Sequence, residues 1–292
     1  MRKKVLFIGM LVTLLFAFSG CGTKNEGVVT LIMSDVQEGD HPTAQACDKF
    51  AELVKKRTNG KVVIEVYHGS TLGTEAEQIA QATVGGIDFV RVSSPVAAYY
   101  DDIKAFQALY LYSSEDDMWK VLDGEIGNEF LKAQQLKDNG LEGLCWISGG
   151  SRNFYNNVRP ITSPEDLAGL TLRVNTDSMF AFLESCGAKG INVSYNDIYN
   201  SIEAGTIDGA ENNWPSYIST GHYKVAPYIT VDEHTRIPEM IVASTESMNK
   251  LTSEQQQIVR ECAQEAGQLQ RKWNMMKKQL KLQRMLAVRL HI

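Results

Sequence analysis

The chain has 292 residues, 43% of them hydrophobic and 22% charged, with a net charge of −6. That length suggests two domains with sizeable cores. The acidic balance argues against nucleic acid as a partner, because nucleic-acid binding calls for a basic surface.

Met1-Arg-Lys-Lys4 is basic, Val5 to Phe18 is an apolar run too short for a comfortable membrane span, and Ser19-Gly20 precedes Cys21. The pattern reads as a secretory leader over residues 1–20 and resembles a bacterial lipoprotein signal, cleaved before Cys21. Cys21 would then carry lipid, since several acyl chains together anchor a protein stably, and residues 21–27 would form a tether. The other cysteines, Cys47, Cys145, Cys186 and Cys262, show neither CxxC nor metal-ligand spacing and read as buried free thiols.

Val28–Met33 reads as a strand, Thr43–Thr58 as a helix closed by Gly60, and Lys61–Tyr67 as an alternating strand. Thr74–Val84 is a helix opened by a capping box, Thr74 with Glu77, and Ile87–Val92 is a third strand. This βαβαβ order is that of a parallel sheet flanked by helices. Phe106–Tyr110 looks strand-like, Ser114 to about Lys137 helical, and Leu141–Ile147 strand-like. The alternation restarts after Gly149–Ser151. Leu170–Val174 and Lys189–Val193 are strands around a helix at Asp177–Cys186; a helix at Tyr195–Ala204 leads to a strand at Ile207–Ala210. Strands at Tyr228–Arg236 and Glu239–Ser244 precede a long helix from about Ser253. From Arg271 to Ile292 there are seven Lys or Arg and no acid. Two readings stand for that stretch: a basic solvated helix end, or a truncated or frame-shifted tail.

The pattern implies an α/β protein of two lobes. The first takes residues 28–149 and 238–277, the second residues 150–237 and 278–292. No P-loop, GxGxxG, GxSxG or HExxH occurs, and the five histidines are scattered, so neither cofactor, metal nor catalysis is indicated. Polar residues collect instead at strand ends, where open α/β sheets bind ligands. Arg173 and Arg152 each sit beside a strand-like run and could hold a carboxylate in a bidentate fork.

Eight pieces in order carry a family resemblance. They are Gly39-Asp-His-Pro42, Thr58-Asn-Gly-Lys61, Leu72-Gly-Thr-Glu75, Gly86-Ile-Asp88, Asp166-Leu-Ala-Gly-Leu-Thr-Leu-Arg173-Val174, Tyr195-Asn-Asp-Ile-Tyr199, Glu203-Ala-Gly-Thr-Ile-Asp-Gly-Ala-Glu-Asn212, and the run Tyr223, Tyr228, Thr230. The chain resembles solute-binding proteins of tripartite ATP-independent periplasmic (TRAP) transporters, of the dicarboxylate-binding DctP type. The resemblance implies a periplasmic-binding-protein-like clamp of two mixed sheets, with crossing strands at the hinge and one long helix spanning both lobes. It implies that the clamp closes on a small organic acid and delivers it to membrane permease subunits, with Arg173 pairing the carboxylate, Arg152 supporting it, Asn212 bonding the ligand and Glu75 facing hydroxyls or an amine. Asn212-Asn213-Trp214-Pro215 and Gly150-Ser-Arg-Asn-Phe-Tyr155 look most like hexuronate-binding members. A sugar acid would need hydroxyl partners, here Glu75, His41, Asn153, Asn212 and Asn213, and a flat apolar surface, here Trp214. The expectation is therefore a lipid-anchored, extracytoplasmic monomer for glucuronate or galacturonate. A C4-dicarboxylate, sialic acid or 2-oxo acid receptor, an ATP-driven importer's receptor and a secreted enzyme acting on sugar acids stay open as alternatives.

Overall fold

The computed structural model describes residues 27–289, with side chains described to residue 274. The leader, Cys21 and the side chains of the basic tail beyond residue 274 lie outside the described residues. The strands fall into two five-stranded mixed sheets.

The first sheet begins with β1 (Val29–Ser34), which pairs in parallel with β2 (Val62–Tyr67) and β3 (Phe89–Val92). Helix α1 (Pro42–Arg57) joins β1 to β2, and α2 (Glu75–Thr83) joins β2 to β3. His41 caps α1 through Nδ1, which accepts from the Thr43 backbone N–H, and Pro42 presets the first turn. The capping box of α2 forms as expected, with Thr74 and Glu77 bonding each other's backbone N–H. This helix start places Glu75 beyond the C-terminal end of β3, against Ser93.

The expected strand at Phe106–Tyr110 does not form. Asp101–Gln107 is a 3₁₀ helix, and Tyr110 adopts φ 54°, a left-handed conformation that ends any extended run. The expected long helix after Ser114 divides into α3 (Glu115–Leu122), α4 (Glu125–Leu131) and α5 (Gln134–Asp138). Gly124 opens the second of these in an extended conformation, and a Cβ at Gly127 would lie 2.0 Å from the Leu122 carbonyl oxygen. Only a bare backbone permits so tight a turn between helices.

β4 (Leu141–Ile147) completes the sheet through β10 (Glu239–Ser244), which lies antiparallel between β3 and β4. Leu31, Met33, Phe50, Phe89 and Ile241 pack on one face of this sheet with α1 and α10 (Ser253–Arg289); Val90, Val92, Met118, Trp119 and Val242 pack on the other with α2 to α5. Successive residues of β10 thus feed opposite cores, the period of two of a strand buried on both faces. The short α9 (Thr245–Met248) turns the chain into α10.

The second sheet runs β7-β6-β8-β5-β9. Its strands are β5 (Arg152–Asn156), β6 (Thr171–Arg173), β7 (Lys189–Ile191), β8 (Gly209–Asn213) and β9 (Tyr228–Thr235), with α6 (Asp177–Ser185), α7 (Ile198–Glu203) and α8 (Trp214–Ser219) packed around them. The strand expected at Ile207–Ala210 starts two residues later and carries Glu211, Asn212 and Asn213 inside it. Two chain crossings connect the sheets, at residues 148–151 and 236–238. Helix α10 grips the first of them: Gln270 Nε2 donates to the Ser148 carbonyl at 2.6 Å and Asn274 Nδ2 to the same oxygen at 3.1 Å. No disulfide forms among the described residues; Cys47, Cys145 and Cys262 are buried, whereas Cys186 is only half-buried.

Candidate ligand-binding cleft

Strand ends from both sheets converge on a cleft of about 580 Å³ between the lobes. From the second lobe come Arg173 at the end of β6, Arg152 at the start of β5, and Asn212 and Asn213 at the end of β8. From the first come Glu75, Arg91, Ser93 and Glu239. At the mouth the lobes touch: Tyr195 Oη donates to Gln37 Oε1 at 2.6 Å, and Ser70 Oγ to Asn196 Oδ1 at 2.6 Å.

The three arginines differ in what they hold. Arg152 is fully committed. Its Nε and Nη2 donate to the two Glu211 carboxylate oxygens at 2.5 and 2.8 Å, Nη2 also reaches the Glu211 carbonyl, and Nη1 donates to Asn212 Oδ1 at 2.9 Å. Burial works against the Glu211 charge, yet Arg152 and His234 hold its carboxyl down at about 2. His234 bridges Glu211 and Asp232, at 3.2 and 2.8 Å.

Arg91 is committed as well. Nε donates to Asp35 Oδ1 at 2.9 Å, Nη1 to Glu239 Oε2 at 3.3 Å, and Nη2 faces Glu75 Oε2 at 3.5 Å. Burial pushes Glu239 up to about 7, against the pull of Arg91. Glu75 is fixed from behind, since the Ser93 N–H and hydroxyl both donate to it.

Arg173 is different. It is only 6% exposed, and Nε donates to the Val193 carbonyl at 2.9 Å. Its two terminal nitrogens make no hydrogen bond or ion pair among the described residues, and the side chain lines the cleft. Burial lowers its pKa, Glu211 offsets this in part, and the neighbouring Arg152 lowers it further. A buried, uncompensated guanidinium is costly, and an arriving carboxylate relieves that cost.

Five of the eight residues expected at a binding site line this cleft: Arg173, Arg152, Asn212, Asn213 and Glu75. Three do not. His41 stands behind the wall, buried, with Nε2 3.5 Å from Asn213 Oδ1 and 3.3 Å from Ser216 Oγ. Asn153 lies on the β5 backbone side, where Oδ1 accepts from the Glu233 N–H and Nδ2 donates to the Ser151 carbonyl. Trp214 opens α8, half-buried, and packs edge-on against Tyr217 at the border of the second lobe's core. Asn213 caps that same helix through Oδ1, which accepts from the Ser216 N–H.

Sequence reasoning passed over Arg91, Glu239, Asp35 and Glu211. A signal existed for two of them. Arg91 is the one cation inside an otherwise buried strand, and a charge there must have partners. Glu211 stands in a strand buried along its whole length.

Comparison with known proteins agrees with this architecture. The family model DctP, bacterial extracellular solute-binding protein family 7, matches residues 33–292. A solute-binding protein of Chromohalobacter salexigens is 34% identical over 239 residues, 81% of this chain and 70% of that one. A TRAP periplasmic solute-binding protein of Sulfitobacter sp. NAS-14.1, solved with bound β-D-galacturonate, superposes with TM-score 0.82 at 32% identity, covering 88% of this chain and 86% of its own. A Citrobacter koseri counterpart with bound D-glucuronate gives TM-score 0.81 at 35% identity and the same coverage.

Proposed function

The chain belongs to the DctP family of bacterial extracellular solute-binding proteins, and on that premise we propose that it is a TRAP receptor for a hexuronate, D-glucuronate or D-galacturonate. Arg173 pairs the ligand carboxylate, and Asn212, Asn213 and Glu75 take its hydroxyls. One observation carries this reading. Of three arginines on the cleft wall, only Arg173 presents terminal nitrogens that no described acidic group occupies. The cleft therefore offers one open cationic subsite for a carboxylate, with hydroxyl-bonding groups such as Asn212, Asn213 and Glu75 around it, which is the chemistry of a sugar monoacid. The solved relatives with bound galacturonate and glucuronate support the same class.

A C4-dicarboxylate would need a second cationic clamp, and Glu211 already occupies the fork of Arg152. Sialic acid and 2-oxo acids also carry one carboxylate and remain the competitors to test. The role is that of a receptor handing its ligand to permease subunits, not of a catalyst. We assign it to the outer side of a cell membrane, as a monomer held by lipid on Cys21. No helix among the described residues is long and apolar enough to cross a membrane.

A thermal-shift screen decides the ligand class. Uronates should raise the melting temperature by mass action, by about 2.7 kcal/mol of stabilisation at a hundredfold excess over Kd, while succinate and malate leave it unmoved. A rise with C4-dicarboxylates and none with uronates would overturn the assignment.

A further inference from the structure

The first lobe brings three carboxylates to one guanidinium. Asp35, Glu75 and Glu239 stand within 2.9 to 3.5 Å of the Arg91 nitrogens, and Arg91 itself is 1% exposed. With all three acids ionised, this cluster is still a net anionic wall, because Arg91 and His68, which Asp35 holds protonated up to about 9, offset only two of the three charges. The opposite wall holds Arg173, and Arg152 beside it is neutralised by Glu211. The cleft is thus polarised across its width, cationic on one side and anionic on the other.

A six-carbon sugar acid with its carboxylate on Arg173 directs its far end toward the first lobe. In a uronate that end carries a hydroxyl, a donor suited to a carboxylate acceptor. Glu239 Oε1 accepts no hydrogen bond among the described residues, and Glu75, whose oxygens accept from Ser93, lines the cleft. In a diacid of the same skeleton the far end is a second carboxylate. It would meet Glu75 and Glu239, not Arg91: Nε and Nη1 donate to acids, and Nη2, which faces Glu75 at 3.5 Å without a hydrogen bond, is buried out of reach. Like charges brought together in a low-dielectric cleft exclude the wrong partner more sharply than good contacts favour the right one.

We propose that Glu75 and Glu239, held in place by Arg91, determine the specificity of the cleft: they accept hydroxyls from a monocarboxylate sugar acid and repel the second carboxylate of the corresponding diacid. The proposal rests on the hexuronate reading, with the ligand carboxylate on Arg173, and adds a reason for excluding diacids from the side opposite Arg173.

The test is calorimetric titration of the full chain with D-glucuronate, a pyranose whose far end is the anomeric hydroxyl, and with D-glucarate, an open-chain diacid with a carboxylate there; because the two also differ in ring form, the change of their ratio in the variants isolates the effect of charge. It is run at pH 8, where Glu239 is ionised. The wild type should prefer glucuronate by at least about 100-fold, the scale on which juxtaposed charges discriminate between partners. Glu239→Gln and Glu75→Gln should each narrow that preference by about tenfold, chiefly by gaining affinity for glucarate. Melting curves confirm folding, and if one variant fails to fold, the ratio in the other still decides. A wild type that binds both acids within about threefold overturns the proposal, as do folded variants that bind glucuronate with an unchanged ratio. A wild type silent to both glucuronate and galacturonate overturns the hexuronate reading itself, and this proposal with it.

Discussion

Arg173 enters the cleft with no acid bonded to it among the described residues, whereas Arg91 and Arg152 bring their own. Replacing Arg173 with alanine should therefore cost about 2–5 kcal/mol of ligand affinity, the usual consequence of unpairing a buried charge. Calorimetry with the uronate found in the screen checks this, and a change under tenfold would remove Arg173 from its role. The acids set the pH response. Glu211 falls from 4.5 to about 2, so its contribution is present above pH 4.5 and is lost as pH drops toward 2. Its size is on the order of 3 kcal/mol. Glu239 rises from 4.5 to about 7 under burial, with Arg91, Glu75, Asp35 and Arg152 facing it. The folded state then holds a proton that the unfolded state has released, so stability declines as pH climbs from 4.5 through 7. Glu239→Gln should flatten that decline in thermal melts taken across the window; an unaltered slope would show that another group causes it. Arg173, Arg152, Asn212, Asn213 and Glu75 were legible because a strand end plus a polar side chain locates a cleft wall. His41, Asn153 and Trp214 were not, because sequence does not say whether such a residue faces the cleft, caps a helix or packs at the border of a core. Arg91 was missed for a related reason: its partners lie 16, 56 and 148 positions away.

The elements around the hinge show how little room the site has. Gly149 lies on the first crossing between the sheets, and a Cβ there would stand 2.2 Å from Asn213 Nδ2 and 3.0 Å from Glu239 Oε1. Asn213 cannot retreat freely, since its Oδ1 caps α8 by accepting from the Ser216 N–H at 2.9 Å. Gly149→Ala should therefore destabilise the protein by about 1–3 kcal/mol, the usual range for overpacking. It should weaken ligand binding as well. Denaturant titration and calorimetry together check this, and wild-type values in both would refute the crowding. Most elements were legible from their period and caps: α1, α2 and the strands flanking them fall within two residues of expectation. Residues 114–138 were not, because the 3.6-residue pattern continues through three short helices and the breaks depend on backbone approach at Gly124 and Gly127. Strand order was equally hidden. A period of two marks β10 as buried on both faces but does not reveal that it lies between β3 and β4.

At the scale of the whole molecule, the lobes meet at the mouth through Gln37 with Tyr195 and Ser70 with Asn196, and on the far side through the Tyr110 N–H on the His234 carbonyl. A ligand that bonds Arg173 on one lobe and Glu75 on the other favours this closed arrangement by its differential affinity for it. Tethering adds to function only if the body stays near its permease. Cys21→Ser should release the protein from the membrane fraction while leaving uronate binding intact; retention in that fraction would rule out lipid on Cys21 as the anchor. The placement of β10 also orders events in time. The second sheet is built from residues 152–235, whereas among the described strands β4 pairs with β10 alone, which follows all of them. During synthesis or vectorial export from the N-terminus, β3 and β4 therefore wait with open edges until residue 244 emerges. A nascent chain stopped at residue 237 would hold every strand of the later lobe, while the earlier lobe remained a three-stranded sheet beside a lone strand.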